Sequence, residues 1–205
     1  DLPRLVDVAA LDAPAASVTS LRADLTPVAQ LERYADRVEL GTTKIDDLVL
    51  HAYSMAGFER LEGRVREQQK ILKNWAFATR GGTQPGVAAA FEGGVGLGKS
   101  LAARVLAVRL DKPLYEVDFA KVVGDTGAQT LKNLAGAIDA AAMAGAVLLI
   151  ENVDALIVDA KQDRDARLLS AGLAQKLRRQ AGVVVVTSPS GQGLGADIPE
   201  TLTEK

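Results

Sequence analysis

Residues 93–100 read Gly-Gly-Val-Gly-Leu-Gly-Lys-Ser, and Gly93, Gly98, Lys99 and Ser100 fit the spacing G-x-x-x-x-G-K-[ST]. Glycines let the backbone curl until several N–H groups converge on one point, and such a nest holds an anion. A helix beginning near Lys99 adds its positive end to the same point. Lys99 is then the cation for β- and γ-phosphate oxygens, and the Ser100 hydroxyl is a ligand for Mg²⁺. The chemistry is triphosphate binding, with ATP or ADP and Mg²⁺ as the expected ligands. The candidate cofactor-binding run is Gly93, Gly94, Val95, Gly96, Leu97, Gly98, Lys99, Ser100 and Leu101. A glycine-rich turn that merely caps a helix would use the same residues. What separates the two is a strand before and a helix after.

A second stretch, Ala146 to Ile150, is a short apolar run that stops at Glu151 and Asn152. In folds built on a phosphate loop, a second strand ends near the metal, and its last carboxylate holds the ion through water. A following carboxylate orients the attacking water. Glu151 is one methylene longer than aspartate but can still reach the metal, so Ser100 and Glu151 are the candidate metal residues. Asn152 can hydrogen-bond a water and cannot take its proton. The bland alternative is that Glu151 and Asn152 only finish a strand. Asp154 is conceivable as a substitute base, but a carboxylate two residues past such a pair is more simply part of the local loop.

The elements that must position these groups follow from periodicity. "VAAAFE" (87–92) is a strand candidate, Lys99 to about Leu110 a helix, and "PLYEVD" (113–118) a second strand. Thr130 to Met143 is a helix, Val147–Ile150 a third strand, 164–179 a helix, and "GVVVVTS" (182–188) a fourth strand. Strands alternating with helices imply a parallel sheet covered on both faces. Upstream, Leu25 to Leu40 is expected as a helix on Val28, Leu31, Tyr34, Ala35 and Val38. A short extended piece follows at Ile45–Leu50, and a long helix capped by Ser54 runs to about Trp75. The expected fold is α/β, a three-layer αβα phosphate-loop core over 45–205 behind a helical extension at 1–44.

Charge is nearly balanced, 24 basic against 26 acidic residues, so nothing pulls the whole chain toward nucleic acid or an anionic membrane. A local basic patch remains at Lys176, Arg178 and Arg179. The chain has no cysteine, which excludes disulfides and thiolate metal sites. That composition fits a cytoplasmic protein. No apolar run is long enough to span a bilayer.

With these motifs in place, the chain resembles the AAA+ ATPases. "FEGGVGLGKSLAARVLAVRL" is similar to the Walker A strand, loop and helix. "PLYEVDFAKVVGDTGAQTLKNLAGAIDAA" resembles the second strand, the pore-loop region and the helix after it. "AVLLIENVDAL" resembles the Walker B segment, and "GVVVVTSPS" sits where the family has its sensor 1 strand. "DDLVL" and "VREQQKILKNWAF" resemble a bacterial group, some of whose members accompany contractile injection systems.

The resemblance implies strand order 5-1-4-3-2, ATP–Mg²⁺ at subunit boundaries and a ring, often hexameric, of like subunits or of partner AAA+ subunits, acting on a protein client. It puts Glu151 at the Walker B aspartate, Asn152 at the catalytic glutamate and Ser188 at sensor 1, so these three are the candidate catalytic residues. The departures are Asn152 for glutamate and Ser188 for asparagine. Thr203 and Glu204 stand where arginine fingers would be, and Val122 and Val123 replace a pore-loop aromatic. The core is expected to stop before a fifth strand and a helical lid.

Three functions compete at this stage. One is a nucleotide-stabilised structural or regulatory subunit with weak or no hydrolysis. Another is a working motor that borrows groups from a neighbour. The third is a different phosphate-loop phosphotransferase, against which the helix after "GDT" and the "LIENVDAL" segment argue. Trp75 and Phe77 are candidates to stack on adenine or to pack a helix end. His51, the only histidine, is read as structural or exposed, and Arg164 and Arg167 as solvated or facing a neighbouring subunit.

Overall fold

The computed structural model describes residues 26–74, 86–156, 164–189 and 200–203. Its strands are β1 (Ala35–Val38), β2 (Val87–Glu92), β3 (Leu114–Val117), β4 (Val147–Ile150), β5 (Val183–Ser188) and β6 (Glu200–Thr203). Its α-helices are α1 (Pro27–Glu32), α2 (Ala52–Asn74), α3 (Lys99–Leu110), α4 (Phe119–Val122), α5 (Gly127–Ala144) and α6 (Arg164–Arg179). They form one six-stranded sheet in the order β1-β3-β4-β5-β2-β6. The neighbours from β3 to β6 are parallel, and β1 alone is antiparallel, along β3. Counted from β2, the parallel strands run 5-1-4-3-2, the order the resemblance implies.

β2, β4 and β5 are short, mostly apolar strands buried along their whole length, as a parallel sheet under helices requires. Alternate residues feed two cores. Ala90, Leu148, Ile150, Val184 and Val186 pack with Leu134, Ile138, Leu169 and Leu173 of α5 and α6. Ala89, Phe91, Leu149 and Val185 pack with Phe58, Leu61 and Val65 of α2 and with Val105 and Leu106 of α3. The result is the expected three layers. Helix ends are set locally: the Thr126 hydroxyl accepts from the Gln129 N–H at the start of α5, and Gly145 closes it in the left-handed conformation at φ 67°.

Three expectations need correction. Residues 35–38 are not helix. Leu31, Tyr34, Ala35 and Val38 do fall at helical spacing, but α1 stops at Glu32 and the chain pairs with β3, Ala35 opposite Val117. The open edge of β3 supplies hydrogen bonds that a continued helix would forgo, and Lys121 on Asp36 fastens the strand. Ile45–Asp47 is a 3₁₀ turn, not an extended piece, with the Asp47 carboxylate accepting from the Lys44 N–H. Ser54 does not cap α2; it is buried inside a helix that begins at Ala52.

A fifth parallel strand is present, contrary to expectation. β6 pairs with β2, so Thr203, read as standing at an arginine-finger position, lies in a ladder opposite Glu92. Glu204 lies outside the described residues.

An acid in the apolar α2–α3 layer locks the two helices. Glu62 is 7% exposed and meets Arg109 Nε at 2.6 Å and Arg66 Nε at 2.9 Å. Arg66 also donates to the Arg109 carbonyl. Removing one member of a buried pair strands the other charge. Glu62→Ala is expected to lower stability by about 2 kcal/mol, discounted because Arg109 is partly solvated; urea unfolding reads the change.

Candidate functional site

β2 is buried along its whole length and delivers the chain into the glycine loop. There the Gly93 N–H donates to the Ser188 carbonyl at 3.2 Å, fixing the loop's first residue to the end of β5. Gly96 and Gly98 take φ 84° and 82°. A Cβ at either would meet nothing within 4 Å, so glycine is required by backbone conformation and not by space. Gly98 is also the residue from which α3 springs. The loop between places Val95 and Leu97 in solvent, while Leu101 packs against the α2–α3 core.

Lys99 folds back across this loop, its Nζ donating to the Gly93 and Gly94 carbonyls at 2.7 Å each. Ser100 donates its hydroxyl hydrogen bond to Glu151 Oε1. A nest of N–H groups, a clipped ammonium and two hard oxygen donors in contact suit a polyphosphate with Mg²⁺, which prefers oxygen ligands. The structure thus brings together residues 93–100 and Glu151.

The other two candidates sit differently. Asn152 is exposed and holds φ 49°, a left-handed conformation that asparagine tolerates. Its N–H donates to Thr187 Oγ1 at 2.9 Å, and its carbonyl accepts from the Ala155 N–H at 2.8 Å. Ser188 is buried and donates through Oγ to Asp154 Oδ2. Asp154, read from sequence as a loop residue, therefore reaches across to the neighbouring strand. Thr187 was not singled out by spacing, because a threonine in a run of valines looks like any strand residue.

Glu116 on β3 likewise belongs to no sequence motif. Burial raises its carboxyl above the ordinary 4.5, and the Glu151 carboxylate raises it further; Arg104 on α3 lowers it in part, and Asp36 raises it. These contacts depend on the sheet order, which no local pattern carries.

The remaining residues fall away from this cluster. Val122 is buried and Val123 exposed, on a loop stem tied by Asn133 Nδ2 to the Val122 carbonyl and by the Gly124 N–H to Thr130 Oγ1. Arg164 and Arg167 are exposed at the start of α6. Lys176 is neutralised by Asp139 at 2.6 Å, which reduces the expected basic patch. His51 accepts from the Tyr53 N–H at 3.4 Å as α2 begins. Trp75 and Phe77 lie outside the described residues. Among the described residues no three His, Asp or Glu side chains group as a metal cluster, and no helix is long and apolar enough to cross a membrane.

Two outcomes follow from this geometry. Gly98→Ala forces a Cβ into the left-handed region and is expected to cost about 1–2 kcal/mol in denaturant unfolding. Glu116 binds its proton more tightly folded than unfolded. Its contribution is therefore present below the unfolded value of 4.5 and is lost as pH rises through the folded value. Glu116→Gln is expected to be the more stable protein at neutral pH, with the difference shrinking as pH falls; melting curves across pH 4–7 check it.

Residues 89–190 match the family model described as ATPase family associated with various cellular activities (AAA). Among solved structures, the chain is similar to one in the structure of the E. coli MS115-1 HORMA:CdnC:Trip13 complex, at 16% identity and a TM-score of 0.52. The likeness covers 87% of this chain and 66% of that chain, just under two thirds of it, and at this identity it speaks for the fold. No curated protein sequence matches. The five parallel strands in the order 5-1-4-3-2, the loop at 93–100 and the family match agree: residues 89–190 of this chain form an AAA-family ATPase domain.

Proposed function

We propose that the chain binds ATP or ADP with Mg²⁺ at residues 93–101 and turns ATP over slowly. In this reading it serves as a nucleotide-stabilised structural or regulatory subunit of an oligomeric AAA+ assembly. The carrying observation is an asymmetry within one site. The groups that bind are assembled: the glycine loop, Lys99 clipped across it, and Ser100 on Glu151. The position after Glu151, where the family places its proton acceptor, holds an amide.

In this reading the loop N–H groups and Lys99 grip the phosphates, and Ser100 and Glu151 hold the metal. Mg²⁺, when bound, offsets charge shared by the β- and γ-phosphate oxygens. Asn152 orients a water and leaves its proton in place. Loss of a positioned acid–base group typically costs a factor of about 10²–10⁴ in rate. Binding draws on none of that, so occupancy survives where turnover falls. A ring of copies, or of this chain with partner AAA+ subunits, and a protein client are part of the proposal, as is a cytoplasmic setting that supplies ATP. The similar solved chain also sits in a complex with other proteins.

The test is nucleotide binding with Mg²⁺ alongside steady-state hydrolysis on the purified chain. Lys99→Ala is expected to abolish the nucleotide-dependent rise in melting temperature. Wild-type hydrolysis is expected to stay well below one turnover per second. Several turnovers per second would replace this reading with that of a working motor, and a melting temperature indifferent to nucleotide would remove the binding claim itself.

A further inference from the structure

We infer that Asp154 is the carboxylate that receives the proton of the attacking water in the slow hydrolysis at this site. The inference rests on the ATP-binding reading above and names the group behind its residual turnover.

The chain after β4 does not leave the sheet end. Asn152 turns in the left-handed conformation, its carbonyl takes the Ala155 N–H, and Val153–Leu156 forms a 3₁₀ turn with Val153 fully buried. That turn swings Asp154 to the end of β5, where Ser188 Oγ donates to Oδ2. The carbonyl of the same Ser188 accepts from the Gly93 N–H. One residue therefore ties the Asp154 carboxylate on one side to the first residue of the phosphate loop on the other.

The second carboxylate oxygen, Asp154 Oδ1, is shielded from bulk solvent and receives no hydrogen bond among the described residues. A buried carboxylate oxygen with no donor is costly, and a water donating to it relieves that cost. Nearby acids are placed for other work. Glu151 is engaged by Ser100. Glu116 shares that face of the sheet, by its alternation with Leu114. Glu92 is buried opposite Ser188 in the ladder, and its Oε1 is also shielded and receives no hydrogen bond among the described residues, although the residue has an interaction elsewhere; it is therefore the competitor to be tested.

The water oxygen bonds to the γ-phosphorus, and the bond from that phosphorus to the β,γ-bridging oxygen breaks, its electron pair leaving on ADP. The water proton passes to Asp154 Oδ1 and from there to solvent. Asp154 is then a catalytic residue, and Ser188 a positioning residue that holds it.

The experiment uses the full chain in its native assembly, with three readouts: kcat and KM for ATP, affinity for a non-hydrolysable ATP analogue, and retention of ADP–aluminium fluoride. Asp154→Asn is expected to lower kcat at least tenfold and to lose ADP–aluminium fluoride retention, with analogue affinity within twofold of wild type. Ser188→Ala is expected to lower kcat with KM unchanged, and it decides the matter should Asp154→Asn fail to fold. An unchanged kcat in Asp154→Asn, or in Ser188→Ala when only that variant folds, overturns the inference. So does a loss of turnover in Glu92→Gln that Asp154→Asn does not share. A wild-type rate no higher than that of Lys99→Ala also overturns it while leaving nucleotide binding intact; absent binding removes both.

Discussion

The contact between Ser100 and Glu151 joins the first turn of one helix to the end of a strand 51 residues later. Everything else at the site depends on the sheet order that allows it. β5 lies between β2 and β4, so the phosphate loop and the Glu151 strand are two strand spacings apart, about 10 Å. A serine at the start of α3, which crosses over that gap, and the long arm of a glutamate close it. An aspartate at 151 would present its oxygens one methylene farther back. The departure from the family's usual residue therefore still yields a hydroxyl–carboxylate contact.

Strand alternation sorts the chemistry onto two faces. Leu149 packs toward α2 and α3, and Glu151, two residues on, meets Ser100 of α3. Val184 and Val186 pack toward α5 and α6, and Ser188, two residues on, meets Asp154. The binding groups and the Ser188–Asp154 pair thus flank the ends of β4 and β5 from opposite sides. The loop's first residue touches both, continuing β2 and bonding to Ser188. Those strands are buried throughout, and the exposed side chain at position 152 lies beyond their ends. In the proposed reading, this lets a nucleotide cradle persist beside an altered catalytic set.

Much of the core was legible because its signals are local. The strands at 87–92, 147–150 and 183–188 and the helices at 99–110 and 164–179 carry their own period, and the loop carries its own glycines. Two of the failures were of one kind. Residues 35–38 have helical spacing yet become a strand because β3 offers a free edge, and 200–203 become a strand because β2 does. In both, hydrogen bonds to a partner distant in sequence outweigh the local pattern.

The same division runs through the site. Sequence by itself determined the glycines of the loop, the lysine, the hydroxyl and the amide at Asn152, since these are matters of residue type at fixed spacing. It could not determine that Ser100 grips Glu151, that Thr187 fixes the Asn152 backbone, or that Ser188 faces Asp154. Those pairs stand 34 to 51 residues apart. Only the crossing of α3 over the sheet and the parallel register of β2, β4 and β5 bring them within hydrogen-bonding reach, because side-chain hydrogen bonds form only between groups a few ångströms apart, whatever their distance along the chain.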